Sequence, residues 1–415
     1  MTGCIGGTVD PEAQFGGTDA AIPVEVSDAL DAALANAVAL SGASGGLAAI
    51  DAPWAGEWRG VAGTESFDEH ASAVAPDDSF RLAGVTGEVT CLILLRLADA
   101  EVVGLADPVS EHVDGIPGLD GITLEQLCRH TSGLADYYPS LRTHFAHNPE
   151  RVWSQIELIS NGMALDRVGT PGEKYSYSRT GLLLLGVALE RATNRSWNDL
   201  AEQYVFEPLG LDGTELPSPT DVADASSLDG YLQPPGADGN PVCDVRYDVS
   251  RLSSSSVGAA GGAISTLDDT VTISQAFATG SLLGEKTARE QWATEHIPDQ
   301  PSWVSEGVGG LEYGPLRGIS TETAGAVTAA FTDPGSGLTV VLTLNSSTAG
   351  PDFAREAAFA LASIASKAPG ADGAEAPLVE LPWSIDQANA NLASLARCAT
   401  APPAEAPPAE APAEG

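Results

Sequence analysis

Few side chains in this 415-residue chain combine the residue types and spacing that chemistry needs. Tyr177-Ser178-Arg179 joins a phenol, a hydroxyl and a guanidinium, whose forked donors suit a carboxylate. His130 and Ser132 look like a base and a nucleophile on paper, and the serine run Ser253 to Ser256 reads as a loop. His144 and His147 stand one helical turn apart, but no third metal ligand is identifiable and a surface pair is expected. Asp68-Glu69-His70 lacks a partner and reads as a solvated loop. The cysteines, Cys4, Cys91, Cys128, Cys243 and Cys398, fit neither a CxxC nor a zinc spacing. Cys91 and Cys128 lie in apolar helical contexts and are expected as plain core residues, while a Cys243–Cys398 pair stays open. Nothing here implies a metal or an organic cofactor.

The elements that must position such groups follow from hydrophobic periodicity. Val26 to Leu40 has helical spacing, and Gly46 to Val61 reads as two short strands turning near Pro53 to Gly56. Glu88 to Asp99 is apolar almost all round, as a helix buried in a large domain would be. Further helices are predicted over Thr123 to His130, Thr180 to Thr193, Asp352 to Ala365 and Ile385 to Arg397. Val327 to Asn345 reads as a hairpin feeding a buried strand. Strands at both ends with helices between them predict an α/β (α+β) sandwich, an antiparallel sheet flanked by helices with an all-helical lobe inserted. The chain divides into a flexible tether (1–25), a main domain (26–366), an extension with a short helix (367–400) and a Pro/Ala/Glu tail (401–415) too poor in bulky apolar residues to fold.

Charge narrows the partners. Acidic residues number 57 against 19 basic ones, a net of −38, and lysine occurs at Lys174, Lys286 and Lys367 alone. Such a surface repels phosphate backbones and anionic lipid, which excludes nucleic acid as a partner. No apolar run is long enough to span a membrane. Thr2-Gly3-Cys4 resembles the end of a bacterial lipobox, which requires a longer signal segment at the start, with a chance cysteine as the alternative; membrane contact is expected only through a lipid on Cys4, in an extracytoplasmic protein.

Several stretches occur in one order and spacing: Phe80 to Gly87, Leu105-Ala-Asp-Pro-Val109, His130 to Leu134, Pro171 to Gly181 and Leu184-Leu-Gly186. Pro208-Leu-Gly-Leu211 with Thr214, Ala260 to Thr266 and the strand ending at Asn345 follow. Together they resemble the serine β-lactamase and DD-peptidase superfamily, in its esterase-like branch. The resemblance implies a cleft between the sheet and the helical lobe. It also makes the His130 to Leu134 string a structural turn.

Chemistry in that superfamily needs a Ser-x-x-Lys at the start of the buried helix, a Tyr-x-Asn from the helical lobe and a Lys/His-x-Gly on a strand. Here the first falls on Gly84 to Gly87, so nucleophile and base are both glycine. Thr86 and Glu88 are expected to point away from residue 84 and replace neither. The second falls on Tyr177-Ser178-Arg179, keeping the tyrosine alone. A tyrosine of pKa about 10 cannot act as a base near neutrality. The third falls on Ile319-Ser320-Thr321, and no His or Lys occurs between His296 and Lys367. The resemblance therefore implies a pseudoenzyme, with an active hydrolase of non-standard mechanism as the alternative. Arg179, Ser178, Ser320 and Thr321 remain as candidate ligand contacts. A peptidoglycan-derived peptide or an envelope protein is the expected partner, with Arg179 drifting in an unused site as the plainer reading.

Overall fold

A computed structural model describes residues 8–18, 20–221, 227–373 and 375–400; Cys4 and the 401–415 tail lie outside the described residues. Helix α1 (Val24–Ser41) leads into the hairpin β1 (Gly45–Ala52) and β2 (Gly56–Gly63). Helix α2 (Val85–Asp99) follows, then the helical lobe with α3 (Leu124–Cys128), α4 (Tyr138–His147), α5 (Gln155–Met163) and α6 (Arg179–Thr193). Helix α7 (Leu267–Thr279) returns the chain to the sheet. The sheet is completed by β3 (Glu295–His296), β4 (Val304–Glu306), β5 (Leu311–Tyr313), β6 (Leu316–Thr323), β7 (Ala326–Thr332) and β8 (Thr339–Leu344). Helices α8 (Pro351–Ala365) and α9 (Ile385–Leu395) close the described chain.

These eight strands form one antiparallel sheet in the order β2-β1-β8-β7-β6-β5-β4-β3. The N-terminal hairpin joins the late strands through β1 against β8, with Ala48 opposite Leu342, so the two ends of the chain share a sheet. Alternation sorts the side chains. Ala48, Ile50, Phe331 and Leu342 face a core with Leu30 of α1 and Phe359 of α8. Leu47, Ala49, Ala330 and Val341 face α2 and the helical lobe. Helix α2 has apolar residues on every side because it is enclosed on every side: Val85 through Leu95 are all buried.

Three local expectations are corrected. Residues from Thr8 onward are seated on the domain rather than trailing as a tether: the Val9 amide donates to the Pro208 carbonyl and Ala21 bridges to Glu57. Cys91 on α2 and Cys128 on α3 form a disulfide, as do Cys243 and Cys398. Ser254–Ser256 is a short 3-10 turn rather than an open loop. The 367–400 extension packs on the domain, with Trp383 stacked on Phe359 at 3.8 Å and Ala388 and Leu392 buried.

Candidate functional site

Gly84 is the N-cap of α2, following Ala83, whose φ of 49° is left-handed in a non-glycine residue. That turn aims residue 84 at β6. A Cβ on Gly84 would lie 2.6 Å from Thr321 Oγ1 and Cγ2 and 2.7 Å from the Tyr177 hydroxyl. The space for a nucleophile's side chain is thus held by Thr321, whose Oγ1 accepts the Gly84 N–H at 2.5 Å. A Cβ on Gly87 would meet Leu182 Cδ1 of α6 at 2.8 Å, so the base's place is filled as well. Gly84, Tyr177 and Thr321 therefore converge, and side chains from other elements, Thr321 and Leu182, take up the space beside the two glycines.

Strand β6 pairs with β7 along its length but with β5 only at Leu316 to Gly318. Among the described residues, 319–323 have no strand partner on that side, which leaves an edge free of β pairing on the cleft. Ile319 belongs to the core on the α2 side, while Ser320, on the other face, donates its hydroxyl to the Pro351 carbonyl at 2.7 Å. The cleft at this edge has a volume of about 310 Å³ and is lined by Tyr175, Tyr177, Arg179, Tyr313, Ser320 and Arg355 among others. Arg355, which sequence reasoning missed, already pairs with Asp352 and Glu356.

Arg179 opens α6 but does not stand free at the cleft mouth. Its Nη1 pairs with Asp136 at 2.6 Å, its Nη2 donates to the Glu322 carbonyl at 2.7 Å, and its backbone N–H donates to Asp136. The guanidinium lies between the Tyr138 and Tyr177 rings, at 4.1 and 5.1 Å from their centroids. Burial alone would lower its pKa, yet Asp136 and the surrounding groups push it up, so the cation is fixed. The result is a strut from the helical lobe to the free edge of β6. Ser178 is corrected as a ligand contact: its hydroxyl caps α6 by accepting the Gly181 N–H and donates to the Ala135 carbonyl, and it is buried.

Tyr177 keeps its place without a partner for its hydroxyl among the described residues, and burial pushes its pKa up to about 12. His130 packs against it at 4.5 Å and accepts the Ser178 N–H on Nδ1. Burial, then Arg179, lowers the His130 pKa to about 3, so the ring is neutral and serves as a support. Its φ of 55° marks the turn that the Thr131 to Leu134 string makes, and Ser132 is buried there.

Thr86 points away as expected, accepting the Ala263 N–H. Glu88 does not: four residues at about 100° each bring it back within about 40° of residue 84. It is buried, neither carboxyl oxygen has a partner among the described residues, and burial holds its pKa well above the usual carboxylate range. Its charge would act on Tyr177. Among the described residues the metal-ligand geometry found is Glu12, Asp51 and Glu57, into which Arg59 already projects, and His144 and His147 gain no third ligand.

Residues 30–364 match a family profile described as Beta-lactamase. The chain is 30% identical over 137 residues to Penicillin-binding protein 4* of Bacillus subtilis (strain 168), covering 33% of this chain and 30% of that protein. It is 33% identical over 150 residues to the D-alanyl-D-alanine-carboxypeptidase/endopeptidase AmpH of Escherichia coli (strain K12), covering 34% and 38%. It thus spans about a third of the length of these curated relatives. Among solved structures, a D-stereospecific amidohydrolase from Streptomyces sp. superposes with a TM-score of 0.70 at 26% identity, over 80% of this chain and 97% of that one. The octameric penicillin-binding protein homologue from Pyrococcus abyssi superposes with a TM-score of 0.68 at 20% identity, over 87% and 80%, a likeness of fold.

Proposed function

The chain belongs to the Beta-lactamase family, and from that premise we propose that it is a non-catalytic member whose cleft binds a ligand without turning it over. One observation carries this reading: the nucleophile's position is a glycine whose side-chain space and amide are both occupied by Thr321. Acyl transfer needs an oxygen that attacks, a base that takes its proton and an amide that receives the oxyanion. Gly84 supplies no oxygen, Gly87 supplies no base, and the Gly84 N–H is spent on Thr321. The free edge of β6 and the aromatic side chains of Tyr175, Tyr177 and Tyr313 support a peptide ligand, and the relatives' names point to cell-wall peptides. Two disulfides favour an oxidising, extracytoplasmic setting, with the Cys4 lipid as the membrane link. The test is incubation with a fluorescent penicillin and a fluorophosphonate, together with nitrocefin and p-nitrophenyl ester turnover. No covalent label and no turnover above background are expected; a stoichiometric label would overturn the reading.

A second reading keeps hydrolysis, with the Thr321 hydroxyl as nucleophile. It is favoured by that oxygen's place on the Gly84 N–H, at the positive end of α2, within the cleft. The same N–H would then be lost to the oxyanion, and no base touches Thr321. Labelling by the fluorophosphonate that disappears in Thr321→Val would establish this second mechanism.

A further inference from the structure

The Arg179 strut divides what would be one cleft. Arg179 and Glu322 line the 310 Å³ cavity at the β6 edge and also a second cavity of about 480 Å³, between α4 and the stretch from Leu232 to Tyr247. We infer that this second cavity binds a small monocarboxylate carrying a flat apolar body. The inference rests on the ligand-binding reading above but on different residues.

Its size falls in the range of small-molecule sites. The walls include rings: Tyr247, Pro234 and Pro235 line it with flat apolar surface. Tyr138 and Arg142 stand four residues apart on the same face of α4, and both line the cavity. The Tyr138 hydroxyl and the Arg142 Nε–H are buried donors without an acceptor among the described residues, although Tyr138 itself is 1% exposed. Buried donors left unmade are expensive, and a group that only accepts hydrogen bonds answers both.

Arg142 keeps capacity for that group. Its Nη2 donates to the Ser347 carbonyl at 3.0 Å, but Glu322 lies 3.8 Å away, too far for a hydrogen bond, and the side chain is one-third exposed. His147 adds a polar wall: its Nδ1 lies 2.7 Å from the Thr143 carbonyl and its Nε2 3.3 Å from the Tyr247 hydroxyl. The nearby Glu322 and a net charge of −38 disfavour a dianion, which selects one carboxylate on an apolar body. A small free acid carrying an aryl group and the C-terminal carboxylate of a short peptide share the single carboxylate.

The test is calorimetric titration of the full chain with N-benzoylglycine, its neutral amide, and an N-acetylated D-Ala-D-Ala dipeptide. The acid should bind at least about tenfold more tightly than the amide, a charge-assisted hydrogen bond's worth. Arg142→Gln should erase that preference and Tyr138→Phe should weaken the acid alone, with melting curves confirming that both variants fold. Stronger binding by the dipeptide than by N-benzoylglycine assigns the site to peptide ends, and the reverse to free acids. Equal binding of acid and amide, or no acid binding at about 10 mM, overturns the inference, and the unmodified chain decides this even where a variant fails to fold. Fluorophosphonate labelling, run in parallel, reports separately on the loss of catalysis.

Discussion

Thr321 Oγ1 sits 2.5 Å from the amide nitrogen of Gly84, so a strand residue accepts the N–H of a helix N-cap that has no side chain of its own. The contact joins residues 237 positions apart and pins β6 to α2. Thr321→Val keeps the shape and removes the acceptor. Denaturant unfolding should show a loss of about 1 kcal/mol, the usual value of a helix cap or a single buried hydrogen bond. Unchanged stability would mean that the bond contributes nothing.

Restoring the nucleophile alone should fail. In Gly84→Ser the new Cβ collides with Thr321 and Tyr177, an overpacking that costs about 1–3 kcal/mol, and no acylation by a fluorescent penicillin is expected. Adding Thr321→Gly should recover part of that stability. The sign of the coupling in a double-mutant cycle is the measurement, and additive effects would show that the two positions do not compete for one space.

Arg179→Ala leaves the Asp136 carboxylate largely buried without its partner, and unfolding should become easier by about 3–5 kcal/mol. Arg179→Lys should recover only part, because one ammonium cannot reach Asp136 and the Glu322 carbonyl with the same fork. Full recovery by lysine would reduce the strut to a point charge.

His130 gives the acid limb of stability a definite sign. Its pKa is about 3 in the folded chain against about 6.5 when exposed. The unfolded chain binds the proton more tightly, so this contribution is full above pH 6.5 and is lost as pH falls toward 3. His130→Gln should flatten the stability profile across that window; a parallel profile would show that the histidine is not held neutral.

The Cys91–Cys128 bridge spans a sequence separation of 37 and fastens the first long helix after the hairpin to the lobe that faces it. Replacing both cysteines by alanine should lower stability by about 2–4 kcal/mol, measured by denaturant unfolding under non-reducing conditions. A variant as stable as the parent would make the bridge incidental.

Much of this was legible in local pattern. The all-round apolar stretch of α2 could belong only to an enclosed helix, and the glycines at 84 and 87, at the start of that helix, were readable directly. What escaped was pairing across long separations. Periodicity gives each helix its faces but not the angle between helices, so Cys91 and Cys128 looked like core residues rather than a bridge. The acidic partner of Arg179 carries no local signal, because Asp136 lies 43 positions away on another segment. The fillers, Thr321 and Leu182, carry no signal in their own surroundings: a threonine in a strand and a leucine in a helix are ordinary there. Glu88 was misread for a simpler reason, since counting a fifth helical position as remote overlooks the turn that returns it.

Ala83 holds a left-handed backbone immediately before Gly84, the N-cap of α2. Backbone distortion beside a reactive residue is commonly read as energy stored for the reaction. Here the residue that follows is a glycine, with no side chain to react, so the distortion belongs to the route by which an extended segment must enter an enclosed helix. It is a tax levied by the architecture, due whether or not a reaction follows.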